Sequence, residues 1–367
     1  MVDRALVIGG TGPTGPSLVQ GLLDQGFAVT ILHTGRHEVD SIPDTVEHLH
    51  TNPFRIDELA ATVGDRTWDI VYAMYGRLRD IAPWFAGKTP KFVAVGGVPS
   101  YRGFVLPELL WPPGLTVPAR EHFPRSGADE NDKTAKMVAS EELVFHHHPN
   151  GTLFRYPIIY GPGQLIPREW LVVKRVLDGR RRMIVADGGL TLRTAGYGPN
   201  VGHALSLVAN QQEISAGKLY NVGDEDCLTT AQTITVLASA LDTEMELVSL
   251  PAALATPARP FQMAEHTLHQ MMGVDLIRHE LGYRDLVPAV EGLAATARHL
   301  RDNPIPADSL MQLRLQDPFD YAVEDQLMDA YRGVEENLRS IAGSYDPEFR
   351  DRYAPGSDDW RLVTPKN

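Results

Sequence analysis

An apolar run, Arg4-Ala-Leu-Val-Ile8, ends on glycines spaced at 9, 12 and 15 within Gly9-Gly10-Thr11-Gly12-Pro13-Thr14-Gly15. Apolar residues then recur at Leu18, Val19, Leu22 and Leu23, which is helical spacing. A short apolar run that stops at glycine and gives way to a 3.6-residue period reads as a buried strand, a sharp turn and a helix. That context is what a dinucleotide-phosphate loop requires. Gly9 permits the turn, Gly12 lets the backbone approach a pyrophosphate, and Gly15 lets the helix pack close to the strand. The unpaired N–H groups at the helix start then face the phosphates with the positive end of the helix dipole. Gly9, Thr11, Gly12, Pro13, Thr14 and Gly15 are therefore expected to bind the cofactor; a plain tight turn is the alternative.

The following segments extend the same pattern. Phe27–Leu32, Asp69–Met74 and Lys91–Val95 read as further buried strands, so a right-handed strand–helix–strand crossover is expected. Residues 99–125 are rich in Pro and Gly and read as a loop bordering a site. A helix is expected from Glu130 to Phe145, a strand over Thr152–Ile159, another over Lys218–Val222, and an amphipathic stretch near 319–342. The end of the second strand reads His33-Thr34-Gly35-Arg36-His37, with no acid before Glu38. An NAD site usually places a carboxylate there for the ribose hydroxyls. Arg36 instead offers a planar fork to a 2′-phosphate, so NADP is favoured over NAD, with His33 beside it. A solvated-loop role for Arg36 is the competing reading. Asn52, near the end of the third strand, is assigned to the adenine.

Composition removes other classes. The formal net charge of −13 gives no electrostatic reason to seek nucleic-acid phosphates. A single cysteine, Cys227, excludes an internal disulfide and a thiolate metal cage. No window is long and apolar enough for a membrane span, and no signal pattern opens the chain, so a cytoplasmic protein is expected. The histidines at 146–148 precede a turn, and His266 and His269 lack a carboxylate helper, so no metal is expected at either.

Four later segments, in order, resemble the extended short-chain dehydrogenase/reductases, the group of NAD-dependent epimerases and dehydratases. Arg155-Tyr-Pro-Ile-Ile-Tyr-Gly-Pro-Gly163 is similar to that family's RxxxxYGPG segment, Arg193–His203 to its substrate-diphosphate arginine segment, Leu219–Gly223 to its YNxG strand, and Glu280-Leu-Gly-Tyr283 to its ELG[WY] end. The resemblance implies that Tyr156 and Pro157 border the nicotinamide, that Tyr160 and Arg193 meet substrate, and that Lys136 holds the nicotinamide ribose. It also implies a serine or threonine where Gly97 stands, and a tyrosine four residues before Lys136, where Asp132 stands. On a helix such a tyrosine and lysine share one face, and the cation lowers the phenol pKa for proton exchange. Asp132 is acceptor-only, and an ordinary ion pair with Lys136 is expected of it. Tyr101 and Ser100, on the loop after the strand, are the candidates to handle the proton, and Tyr75 is a candidate substrate contact. The short interval between Tyr75 and Lys91 leaves room for only a short helix, which argues against the family's usual dimer and leaves the oligomeric state open.

The sequence thus predicts an α/β, Rossmann-type doubly wound parallel sheet with a smaller C-terminal substrate-binding part. Residues 1–165 are expected to be mainly the dinucleotide-binding domain, 166–304 the substrate part with returning Rossmann elements, and 305–367 a helical extension. The expected function is NADP-dependent oxidoreductase or epimerase/dehydratase chemistry on a small molecule, with a non-catalytic cofactor-binding sensor or scaffold as the alternative.

Overall fold

A computed structural model describes residues 2–36, 38–74 and 77–345. In chain order, β1 (Arg4–Ile8), α1 (Gly15–Asp24), β2 (Ala28–His33), β3 (Glu47–His50), α2 (Ile56–Val63), β4 (Ile70–Ala73), α3 (Leu78–Phe85), β5 (Lys91–Gly97), α4 (Asp132–His147) and β6 (Thr152–Tyr156) form the first half. There follow β7 (Ile158–Tyr160), α5 (Trp170–Leu177), β8 (Arg182–Ala186), β9 (Ala195–Tyr197), α6 (Gly198–Ser206), β10 (Lys218–Asn221), α7 (Thr230–Ser239), β11 (Glu246–Leu250), α8 (Arg259–Gln262), α9 (Asp275–Leu281), α10 (Ala289–Asp302), α11 (Leu310–Arg314) and α12 (Tyr321–Ala342).

The main sheet has seven strands in the order β10-β6-β5-β4-β1-β2-β3, and all six pairings between neighbours are parallel. Strand order reverses between β1 and β4, the switch point at which open sheets of this kind hold ligands beyond their C-terminal edge. Helices on both faces explain why β1 and β4 are apolar without alternation: β4 is buried throughout, and β1 from its second residue onward. On one side Leu18, Val19 and Leu22 of α1 join Val201, Ala204 and Leu205 of α6 over the sheet; on the other, Leu59, Ile81, Phe85 and Val144 close a second core.

The strand expected over 152–159 divides. Pro157 has no N–H for a ladder, so β6 stops at Tyr156, and β7 leaves the sheet to pair with β9. α3 is eight residues long with Pro83 inside it, as the short 75–91 interval implies, and it packs on α4. Among the described residues no helix is long and apolar enough to cross a membrane. By its contacts the chain divides after Pro318, leaving a separate unit from Phe319 onward. That unit contains α12, whose first turn is capped by Asp320 accepting from the Val323 N–H.

Candidate cofactor site and its surroundings

The glycine loop leaves β1 through two positive φ angles, 119° at Gly9 and 74° at Gly10, a region that side chains disfavour. Gly9 N–H donates to Leu32 O at 2.9 Å, which ties the loop to the end of β2. A Cβ on Gly15 would lie 1.9 Å from Gly10 O, so α1 can start where it does only with glycine there. Gly12 differs: a Cβ on it would meet nothing within 4 Å, and the residue is exposed. The surrounding protein therefore gives no steric reason for glycine at 12, whereas close approach of a pyrophosphate does. Thr11 and Thr14 are buried, and Tyr156 Oη donates to Thr14 Oγ1 at 3.2 Å, bracing the loop from β6. Burial holds the Tyr156 phenol well above its ordinary pKa. Pro157 is buried behind it. Gly163 lies across the loop, its Cβ direction pointing at Pro13 Cα at 3.7 Å. The loop's backbone and the ten-residue helix behind it thus fit a dinucleotide pyrophosphate.

Met74 N–H donates to Ile8 O at 2.9 Å, joining the ends of β4 and β1 at the switch point. Beside that junction a cavity of 940 Å³ opens between α3 and α4, with Met74, Gly96, Asp132, Lys136, Met137 and Glu141 on its wall. Lys136 thus stands on an open cleft at the edge of the sheet. The expected ion pair between Asp132 and Lys136 is absent among the described residues: although they are one turn apart on α4, no ion pair joins their side chains. The hydroxyl position missing at Gly97 is filled instead, since a Cβ there would meet Met137 Cε at 2.7 Å. One turn along, Glu141 holds Arg155 through a bidentate pair of 2.9 and 2.6 Å with both side chains buried.

The replacement proton donors expected from sequence are not on the cleft. Tyr101 is 0% exposed, and its hydroxyl donates to Asn221 Oδ1 at 2.6 Å while the Arg155 guanidinium lies 4.4 Å from its ring centre. Burial raises its pKa. Ser100 is also fully buried, with an unpartnered Oγ. A loop that packs its aromatic residue beneath itself corrects the proton-donor expectation for both. Tyr160, expected to meet substrate, is 1% exposed and donates to Asp224 Oδ2 at 2.7 Å. Asn52 Oδ1 accepts from the Phe54 N–H at 3.0 Å, closing an Asx turn. His33 is buried and its Nε2 lies 3.2 Å from His48 Nδ1, so its ring is engaged within the protein. Arg36 is exposed and has no ion-pair partner among the described residues. Tyr75 lies outside the described residues.

Arg193 sits apart from the sheet edge, beside the Arg193↔Gln270 bridge. Its guanidinium is buried with one Nη unpartnered, and burial followed by the nearby Arg168 cation pushes its pKa down to about 9. Arg168 stacks over Phe261 at 4.8 Å and also leaves its Nε unpartnered. Arg193, its pKa lowered by burial and by the neighbouring Arg168 cation, and Arg168 each carry a buried unpartnered N–H, which together suit an anion.

Asp224 went unnoticed in the sequence although it follows the Asn221-Val-Gly segment directly. Its carboxylate accepts from Tyr197 N–H, Asn200 Nδ2 and Tyr160 Oη, tying β9, α6 and β7 together. Burial pushes its pKa up to about 6 against the pull of those donors.

A seven-stranded parallel sheet with this order and a glycine loop at its switch point defines a dinucleotide-fold protein of the α/β class. In structure the chain is similar to the UDP-glucose 4-epimerase of Thermotoga maritima (TM-score 0.63, 16% identity, 82% of this chain and 99% of that one). It is also similar to the dTDP-glucose 4,6-dehydratase of Bacillus anthracis (0.61, 14%, 82% and 97%) and to the Bordetella bronchiseptica enzyme WbmH (0.64, 13%, 83% and 100%). The shared fold is that of NAD-dependent epimerases and dehydratases, as the sequence resemblance implies. No protein-family model matches the sequence, and no curated protein matches it.

Proposed function

We propose that this protein binds NADP on the glycine loop and is an oxidoreductase or epimerase/dehydratase, moving hydride between the nicotinamide and a carbonyl or alcohol carbon of a small anionic substrate. The observation that carries the proposal is Gly12, whose missing side chain serves no packing need and opens toward solvent at the N-terminus of α1. Structures of the same fold described as complexes with NAD and with UDP-glucose support a nicotinamide dinucleotide and a phosphate-bearing substrate. Arg36, exposed and without an ion-pair partner among the described residues, is the group for a 2′-phosphate, and Arg193 with Arg168 is the pair for the substrate anion.

When bound, the nicotinamide supplies the hydride donor or acceptor. Lys136 would hold the ribose hydroxyls from the cleft wall. The proton that balances hydride transfer falls to Lys136, Lys133 or Asp132, which line the cavity and have no ion-pair partner among the described residues. Met137 and Val95 keep the wall beside them apolar. The test is a fluorescence titration with NADPH and NADH on wild type and Arg36→Ala. NADPH should bind more tightly, and Arg36→Ala should erase the difference. If neither nucleotide binds, the loop is only a turn and the proposal falls.

A non-catalytic sensor is favoured by one observation: Met137 Cε occupies the space of the missing hydroxyl, and Tyr101 and Ser100 are buried. A sensor would bind NADP and leave the absorbance unchanged against a panel of ketones, alcohols and sugar nucleotides; turnover of any of them would exclude it.

A further inference from the structure

His33, Glu38, His48 and His50 come from two strands and a loop, yet one ligand atom from each lies within 4.8 Å of all the others. The β2–β3 pairing causes this. His33 is in register with His50, and His48 lies two residues earlier on β3, on the same face of the sheet as His50. The chain after β2 then brings Glu38 back over the three rings. His48 Nδ1 is 3.2 Å from Glu38 Oε2, His50 Nε2 is 3.1 Å from Oε1, and His33 Nε2 is 3.8 Å from Oε1 and 3.2 Å from His48 Nδ1. Ring centres lie 4.9 to 6.1 Å apart and all three pairs meet edge to face, so the nitrogens converge without the rings stacking.

We infer that these four residues form a binding site for a divalent ion of the Zn2+ class. Four N and O ligands about 2.0–2.2 Å from a tetrahedral ion stand about 3.3–3.6 Å from one another. The four separations given above span 3.1 to 3.8 Å and the whole set lies within 4.8 Å, so small side-chain shifts bring it onto an ion. Imidazole suits zinc and its neighbours in the first transition row, and one carboxylate with three imidazoles leaves a single positive charge on the loaded site. The His33 side chain is 2% exposed and anchors the site, while Glu38 and His50, at 50% and 55%, leave it open to an entering ion. Loading must displace, besides the hydrogen bonds among the four ligand side chains, the long 3.3 Å bond from Gly35 N–H to His33 Nδ1, because a metal on Nε2 places the proton on Nδ1. The ion also ties both ends of the stretch that carries Arg36, since that stretch runs between His33 and Glu38. Without an ion, the same residues make only a hydrogen-bonded cluster in which Glu38 accepts from the rings.

The experiment uses full-length protein without an affinity tag, stripped with EDTA and titrated with Co2+ and then Zn2+. The expected result is one equivalent of Co2+ with the intense visible band of a tetrahedral centre, lost on adding Zn2+. His48→Gln with His50→Gln should abolish the band, and so should Glu38→Gln, whose half-exposed side chain can change without disturbing the core. His146→Gln with His147→Gln, on α4, should leave it intact. The inference is overturned if no band forms, or if it survives in both the double histidine variant and Glu38→Gln. Neither result depends on nucleotide binding, so the site and the proposed cofactor reading stand or fall separately.

Discussion

The same methyl group added at two positions of the glycine loop should do opposite things. In Gly15→Ala the new carbon would sit 1.9 Å from Gly10 O and 2.2 Å from Gly10 C, backbone atoms that no side-chain rotation can move. The helix must back away from the loop, and overpacking of this kind costs about 1–3 kcal/mol or more. In Gly12→Ala the methyl meets nothing within 4 Å, and φ at Gly12 is not among the positive values. Its effect on folding should be neutral or stabilising by about 0.4–1 kcal/mol, through the unfolded chain. The methyl would nevertheless stand where the pyrophosphate meets the backbone. Losing even one charge-assisted N–H contact there costs about 1.5–3 kcal/mol, so NADPH affinity should fall at least about tenfold. Thermal melts and NADPH fluorescence titrations on both variants check this. A Gly12→Ala protein that melts like wild type and binds NADPH equally well would refute the assignment of Gly12 to the phosphates. One that melts as early as Gly15→Ala would refute the reading of its surroundings.

Three further outcomes follow from the buried groups. Tyr101→Phe should lose about 1–3 kcal/mol in urea unfolding, because Asn221 Oδ1 is left unpaired, with NADPH affinity and any turnover rate unchanged; a collapse of turnover with stability intact would return Tyr101 to the chemistry. Glu141→Gln should destabilise by about 3–5 kcal/mol, since the Arg155 cation is then buried without its partner, and a variant as stable as wild type in denaturant titration would show that the pair relaxes. For Asp224 the folded pKa is raised from the ordinary 3.8 to about 6, so the folded state binds the proton more tightly and ionisation opposes folding. Relative to Asp224→Asn, wild type should lose about 3 kcal/mol as pH rises from about 4 to about 6 and nothing more above that; a difference between the two unfolding free energies that is flat across this window would refute the assignment.

What could be read in the sequence was local. The β1–loop–α1 unit follows from an apolar run, glycine spacing and a helical period within 25 residues, all set by backbone sterics and burial between neighbours in the chain. The break at Pro157 was equally present there, since a missing N–H ends a ladder wherever it falls, but the expected strand ran through it. The parallel, doubly wound class followed from alternating strands and helices, because right-handed crossovers leave few topologies, while the strand order itself came from the structure. Side-chain partners were another matter. Tyr101 finds Asn221, and Tyr160 finds Asp224, across more than sixty residues, so whether each faces a cleft or the core is decided by loop packing that no period encodes. The histidine cluster had a visible half, the His48-x-His50 spacing on one strand face, but His33 joins it only through the β2–β3 register and Glu38 only through the return of the loop. Local pattern determines which elements form and in what order they stack; register and packing between distant segments decide which polar atoms meet, and the chemistry of this protein depends on those meetings.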